Sequence, residues 1–293
     1  MLPLQQIIGL PPCDRSLTRP RKAGITMVID KGLGMAETRD LLEVAGDYID
    51  FIKLGFGTVA LYDPVLLEAK VRFVRSFGIE IYPGGTFLEI AMARKRLPDC
   101  LRQLRETGFS AVEISDGSLN FDQKSRARAI HLAHSAGFVV LAEVGKKNPR
   151  FCLGPLEMAR QAALDREAGA EWVILEGREN GCGTGIYDAR GRVKEAVFQT
   201  FSTMVEGPET IIWEAPQKSQ QVKLIHRFGP DVNLGNVPPG EVLSLEAMRR
   251  GLRGDTIGLI VSEEDSKTAV QELIPGEISI AGGAEYAALQ NNP

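Results

Sequence analysis

The residues with the clearest chemical potential stand at the end of one apolar run. Val139–Lys147 reads Val-Val-Leu-Ala-Glu-Val-Gly-Lys-Lys. Side chains alternate along a strand with a period of two, so Glu143, Gly145 and Lys147 share one face and Lys146 points the other way. A carboxylate and an ammonium ending a buried strand are costly unless something pairs or uses them. Similar polar ends recur along the chain: Asp30 and Lys31; Lys53; Gly84 and Gly85; Glu113, Ser115 and Asp116; Glu176 and Arg178; Glu214; Asn233 and Asn236. Several carboxylates meeting at one mouth repel each other unless a cation, or a ring of lysine and arginine, offsets them. Oxygen ligands favour Mg²⁺, which commonly takes one or two carboxylates and leaves other positions to water and substrate. Glu113, Glu143 and Glu176 are the expected metal set. One or two of the four glutamates, counting Glu214, are expected to pair with lysines instead. The basic residues would hold an anionic small molecule, phosphorylated and carboxylated.

These ends need a scaffold that brings them together. Strands are predicted at 24–30, 48–55, 79–84, 111–117, 139–147, 172–178, 210–216 and 232–236. Helical spacing separates them, as at 64–77, where Val65, Leu66, Ala69, Phe73 and Phe77 follow the 3.6 period before Gly78. Strict strand–helix alternation in units of about 30 residues argues for parallel strands with crossover helices. The count and length suit a (β/α)8 TIM barrel, an α/β fold that works at the C-terminal ends of its strands. An open doubly wound sheet is the rival. Its first turn would carry a Gly-rich dinucleotide pattern, and Asp30-Lys31-Gly32-Leu33-Gly34 lacks it. The division expected is an N-terminal arm at 1–20, one barrel domain at 21–256, and a C-terminal extension at 257–293 holding an extra strand or short helix and a tail.

Composition narrows the partners. A net charge of −4 gives no reason to expect nucleic acid or an anionic membrane. No apolar run approaches the roughly 20 residues of a membrane helix. The N-terminus carries no secretory pattern. Cys13, Cys100, Cys152 and Cys182 are scattered without metal-knuckle spacing, which favours free thiols and a cytoplasmic location. The apolar arm hints at a homo-oligomer.

Seven short words, in order, are then recognisable: Asp30-Lys31-Gly32, Asp47-Tyr48-Ile49-Asp50, Tyr82-Pro83-Gly84-Gly85-Thr86, Val112-Glu113-Ile114-Ser115-Asp116-Gly117, Glu143-Val144-Gly145-Lys146-Lys147, Glu214-Ala215-Pro216-Gln217-Lys218-Ser219-Gln220-Gln221 and Leu252-Arg253-Gly254-Asp255. Together they resemble the phosphosulfolactate synthase family over roughly 21–256. The resemblance implies a (β/α)8 barrel that adds sulfite to phosphoenolpyruvate with Mg²⁺, giving (2R)-phospho-3-sulfolactate, a step of sulfolactate production and of coenzyme M biosynthesis. Two departures stand out. Gly55-Phe56-Gly57-Thr58-Val59 replaces the expected Gly-Trp-Gly-Thr-Ser, and Thr86-Phe87-Leu88-Glu89 replaces Thr-Leu-Phe-Glu. Plant relatives are associated with heat stress, so a related barrel enzyme on another phosphorylated enol or aldol substrate, and a non-catalytic stress protein, stand as alternatives.

The chemistry fits the residues. Sulfite needs no activated serine or cysteine. Its attack on the methylene carbon pushes charge toward the carboxylate as an enediolate, which Mg²⁺ would stabilise. An acid then protonates the second carbon. Lys147 is the expected donor, with a pKa lowered by neighbouring cations. Lys53 and Arg178 complete the catalytic set, either binding phosphate or carboxylate or neutralising the glutamates. Asp30, Lys31, Gly84, Gly85, Ser115, Asn233, Asn236 and Arg253 are the expected substrate-binding residues. Asn233–Asn236 would end the eighth strand, where barrels often hold phosphate, with Arg249, Arg250 and Arg253 close by. The 181–185 stretch Gly-Cys-Gly-Thr-Gly is either a phosphate cradle or a flexible loop. His131 and His134 have a zinc-compatible spacing but no third ligand, and read as solvent-facing.

Overall fold

A computed structural model of the chain describes residue 4 and residues 18–147, 151–183, 185–203 and 208–262. Among them, eight parallel strands form a nearly closed barrel: β1 Thr26–Asp30, β2 Phe51–Leu54, β3 Glu80–Pro83, β4 Ala111–Ile114, β5 Val139–Val144, β6 Trp172–Leu175, β7 Ile211–Glu214 and β8 Asn233–Val237. Nine α-helices alternate with them on the outside: α1 Met35–Ala45, α2 Pro64–Ser76, α3 Gly85–Ala93, α4 Leu97–Thr107, α5 Gln123–Ser135, α6 Pro155–Glu167, α7 Glu195–Thr203, α8 Lys218–Phe228 and α9 Val242–Arg249. The expected (β/α)8 barrel is therefore the fold. No helix among the described residues is long and apolar enough to cross a membrane.

Local chemistry sets the helix limits. Asp63 accepts from the amides of Val65 and Leu66 and Pro64 opens α2, so two donors of the first turn are satisfied. Such a cap contributes about 1 kcal/mol. Gly108 ends α4 with φ +98°, a conformation other residues adopt only at a cost.

Alternation along the strands builds two cores. Ile25, Met27, Phe51, Tyr82, Ala111, Leu141, Ile174 and Ile212 fill the lumen. Their neighbours Val28, Ile52, Ile81, Val112, Val140, Val173 and Ile211 pack outward against the helices. Two residues beyond a lumen residue, on the same face, come Lys53, Glu113, Glu143, Glu176 and Glu214. The apolar filling thus ends in a charged layer at the C-terminal mouth.

The hydrogen-bonded order runs β3-β2-β1-β8-β7-β6-β5-β4, which leaves one seam, between β3 and β4. The Ser110 amide reaches the Ile81 carbonyl at 3.4 Å, and the Ser110 hydroxyl accepts from the Ile81 amide at 3.3 Å. At the mouth a side chain bridges the seam: the Gly85 amide donates to Glu113 Oε1 at 2.8 Å.

Residues 1–3, 5–17 and 263–293 lie outside the described residues, and with them nearly all of the expected arm and most of the extension. Of the extension, residues 257–262 are described, with a short 3-10 turn at Ile257–Leu259.

Candidate active site

The mouth encloses a cavity of about 160 Å³, room for a compact small molecule and not for a polymer. Its wall carries Lys53, Glu113, Glu143, Lys147, Glu176, Arg178, Glu214 and Asn236, with Gly85 and Thr86 at one side and Ile29 and Phe56 as its apolar part. Lys53 is buried at its centre, 2.9 Å from Glu113 Oε2, 3.3 Å from Glu143 Oε2 and 3.2 Å from Glu214 Oε1. Lys147 stands nearer the rim, 3.3 Å from Glu143 Oε1 and 3.8 Å from Glu176 Oε2. Lys146 turns away and pairs with Asp116, as the strand phase predicts.

Four buried carboxylates face two ammonium groups here, so negative charge is in excess. Titration reflects this. Burial, then Glu143, pushes Glu113 up to about 7, against the pull of Lys53 and Lys147. Burial, then Glu143 and Glu214, raises Glu176 well above the carboxylate range. Glu143 goes the other way: burial opposes its charge, but Lys147 and Lys53 together hold it ionised. Burial alone would lower both lysines, and the surrounding glutamates outweigh it and raise both. The expectation of a lowered Lys147 pKa is corrected by this geometry. Its nearest charged neighbours are Glu143 and Glu176, and the opposing influence of Lys53 is weaker.

One oxygen each of Glu143, Glu176 and Glu214 lie within 4.8 Å of one another, the grouping a single cation can bridge. Buried Glu143 Oε1 and Glu176 Oε2 are held chiefly by the charge of Lys147, at 3.3 and 3.8 Å. Hard oxygen donors in charge excess fit Mg²⁺. Glu113 stands outside this group and Glu214 takes its place, although each accepts one backbone amide and pairs with Lys53, so the grouping follows position in the barrel. The outer oxygens are fixed by backbone: the Arg178 amide donates to Glu176 Oε1 at 2.7 Å, and the Gly177 amide to Glu214 Oε2 at 2.8 Å. Gly145, at φ +135°, makes room for this, since a Cβ there would stand 2.6 Å from Glu176 Cβ.

Backbone strain gathers at the same place. Among the described residues, four that are not glycine have positive φ, and three of them line this cavity: Phe56 (59°), Arg178 (62°) and Asn236 (52°). Left-handed backbone is uncommon outside glycine and clusters where function over-determines conformation. Asn236 is buried, with Oδ1 lacking a donor. Arg178 donates to the Lys147 carbonyl at 3.1 Å.

Other expected site residues are used elsewhere. Asp30 caps its own loop, accepting from the Gly32 and Leu33 amides, and pairs with buried Lys70. Lys31 is exposed and does not line the cavity. Gly84 allows close approach, since a Cβ there would stand 2.7 Å from the Phe56 amide nitrogen. Ser115 donates to Glu89 Oε1 at 2.6 Å. Asn233 is a correction: it begins β8, at the opposite end of the barrel. There it accepts from the Ile25 amide at 2.9 Å and donates to the Glu209 and Ile211 carbonyls. Arg249 also serves that end, donating to the Val232 and Ile25 carbonyls. Arg253 donates to Ser244 and lies 3.9 Å from Asp255, away from the mouth. His131 and His134 are exposed on α5, as read. Thr184, in the 181–185 stretch, lies outside the described residues. Glu89 and Arg126, both buried, went unnoticed in the sequence. A lone acid between Leu88 and Ile90 is a readable signal for Glu89, and for Arg126 the signal is its helical phase with Ala129, Ile130 and Ala133.

A (β/α)8 barrel with catalytic-type residues converging at its C-terminal mouth defines a barrel enzyme. Residues 14–255 match the family model described as (2R)-phospho-3-sulfolactate synthase (ComA), and the chain belongs to that family. It is 48% identical over 244 residues to the phosphosulfolactate synthase of Methanothermobacter thermautotrophicus, covering 83% of this chain and 94% of that protein. It is 45% identical over 239 residues to that of Methanocaldococcus jannaschii, covering 81% and 95%. Among solved structures, 3-hexulose-6-phosphate synthase from Salmonella typhimurium is similar in fold, with a TM-score of 0.51, 17% identity, and coverage of 77% of this chain and 98% of that one.

Proposed function

We propose that this protein adds sulfite to phosphoenolpyruvate to form (2R)-phospho-3-sulfolactate. The observation that carries the reading is the mouth, where five carboxylates, two lysines and an arginine line one small cavity in a chain so similar to two phosphosulfolactate synthases. Glu143, Glu176 and Glu214 would hold Mg²⁺, which when bound supplies positive charge for the substrate's carboxylate end. Arg178, anchored through Nη1 on the Lys147 carbonyl, has further guanidinium donors for an anionic substrate group at the rim. The sulfur lone pair of sulfite forms the new bond to the methylene carbon, and the double-bond electrons move toward the second carbon and its carboxylate. Lys147, kept protonated by Glu143 and Glu176, gives its proton to that second carbon from one face. The raised pKa keeps the acid loaded at neutral pH. Lys53, fully enclosed by three glutamates, keeps the carboxylates together and fixes their directions.

The test is product formation followed by phosphorus NMR and mass spectrometry, with Mg²⁺ or chelator, and with sulfite present or omitted. Product requiring both sulfite and Mg²⁺ supports the reading; conversion without sulfite would move the chain to another phosphorylated substrate. Lys147→Ala should lower kcat roughly 10²–10⁴-fold, the range of a general acid, with the melting temperature unchanged. Full activity in that variant would remove Lys147 from the mechanism.

A further inference from the structure

Lys147 is held by a network that never touches the cavity. Arg126, at the start of α5, is fully buried and donates through Nε and Nη2 to Asp165 on α6, at 2.8 and 2.6 Å. Its Nη1 donates to Asp116 Oδ1 at 2.9 Å, and Nη2 also donates to the Glu143 carbonyl at 2.9 Å. One guanidinium therefore joins the loop after β4 to the end of β5, the strand that carries the Glu143–Lys147 pair. Asp116 passes the constraint on. Its other carboxylate oxygen receives Lys146 Nζ, which also donates to the Asp116 carbonyl at 2.9 Å. The next residue in each loop completes the lock: the Lys147 amide donates to the Gly117 carbonyl at 2.9 Å. The lysine stem lies on Gly117, where a Cβ would stand 3.2–3.3 Å from Lys147 Cε, Cδ and Cγ.

The same loop is clamped from its other side. Buried Glu89 on α3 accepts from the Ser115 hydroxyl at 2.6 Å and from the Ser118 and Leu119 amides at 3.0 and 2.8 Å. Residues 115–119 are thus a shelf fixed by an anion on one flank and a cation on the other, with Gly117 between them under Lys147. Neither Glu89, Asp116, Arg126 nor Lys146 lines the cavity.

We infer that Asp116, Arg126 and Lys146 are positioning residues that aim Lys147 at the reacting carbon. The inference deepens the proposed function and rests on it. Fixed geometry matters because a displacement of about 1 Å in a reacting group can cost on the order of 10²-fold in rate. Loosening the shelf moves the acid while leaving the cavity's other walls in place. The expected signature is a fall in kcat with little change in KM, unlike the loss of folded protein that a merely structural ion pair would show.

The experiment compares Lys146→Met, Asp116→Asn and Arg126→Lys with the parent, measuring kcat, KM and melting temperature under Mg²⁺. Asp50→Asn is the control, since it weakens the buried Arg21–Asp50 pair (2.8 Å) at the far end of the barrel. Lys146→Met and Asp116→Asn should lose roughly 10- to 100-fold in kcat, with KM within about twofold. Asp50→Asn should lower the melting temperature and leave kcat per folded molecule unchanged. Arg126→Lys is the most exposed to misfolding. Lys146 is only partly buried, so Lys146→Met keeps the test decisive if Arg126→Lys fails to fold. Parental kcat in both Lys146→Met and Asp116→Asn would overturn the inference while Lys147→Ala remained inactive. A parent that makes no product with sulfite and phosphoenolpyruvate would instead overturn the proposed function. Reductive methylation with ¹³C-formaldehyde gives a readout free of activity: the Lys147 resonance should shift and broaden in Lys146→Met and stay in place in Asp50→Asn.

Discussion

Glu113→Gln should free the protein from a loss of stability that the parent suffers between acid and neutral pH. Glu113 is completely buried, and its carboxyl titrates at about 7 in the folded chain. An unfolded glutamate titrates near 4.3–4.5. A carboxyl whose folded pKa is raised keeps its proton longer in the folded state than in the unfolded one. Its stabilising contribution is therefore complete below about pH 4.5 and is lost as pH rises through about 7. A rise of about 2.5 pKa units corresponds to ~3 kcal/mol. Glutamine cannot ionise, yet its Oε1 can still accept the Gly85 amide across the β3–β4 seam, so the barrel closes as before. Urea denaturation of both proteins at steps from pH 4 to pH 8, in chelator, measures the effect. Subtracting one protein from the other cancels groups that titrate alike in both. The difference should move by ~3 kcal/mol in favour of the glutamine protein as pH rises. A difference flat across that range would refute the reasoning, because it would mean that Glu113 ionises inside the barrel as easily as in water.

Two other outcomes follow from the same geometry. Mg²⁺ at about 100 times its Kd should stabilise the parent by about 2.7 kcal/mol. In thermal melts that gain should vanish in Glu176→Gln and Glu214→Gln and persist in Glu113→Gln; loss of the gain in Glu113→Gln alone would return Glu113 to the metal set. Asn233→Ala should cost about 1–3 kcal/mol, because it strands the Ile25 amide and two carbonyls at the far end of the barrel. Steady-state kinetics should show its KM unchanged, and a raised KM would contradict its placement away from the mouth.

Much of the mouth was legible because it rests on periodicity alone. A charged residue two positions beyond a lumen residue faces the same way, so Lys53, Glu113, Glu143, Glu176 and Glu214 could be placed without coordinates. The same rule separated Lys147 from Lys146. What the sequence hid was partnership across distance. Asp30 ends a strand as the others do, and only the position of Lys70, 40 residues on, turns it into a loop brace. Asn233 opens its strand, Asn233–Val237, and belongs to the end opposite the mouth, although the expected phosphate site groups it with Asn236 at the strand's close. In a parallel barrel the first residue of a strand faces away from the catalytic end, so chain direction alone separates Asn233 from Asn236. Arg126 stands on the apolar stripe of its helix with Ala129, Ile130 and Ala133, but the partners that make its burial tolerable, Asp116 and Asp165, arrive from two other elements.

The seam explains why one of the four glutamates differs from the rest. β5, β6 and β7 are adjacent in the ladder, and each delivers one carboxylate of the metal-ready group: Glu143 and Glu214 from within β5 and β7, Glu176 from the residue after β6. Those strands are held to their neighbours by backbone hydrogen bonds, so their side chains need not close the barrel. β4 has a ladder on one side only. On its open side Glu113 accepts the Gly85 amide, and Glu89 takes the Ser115 hydroxyl just above. A carboxylate committed to that bond keeps one oxygen for the mouth, and Lys53 occupies it at 2.9 Å. The charged layer thus divides along the barrel's topology. The three carboxylates that stand within reach of one another fall on adjacent, continuous strands, and at the interrupted seam the carboxylate does the work of the missing strand pairing.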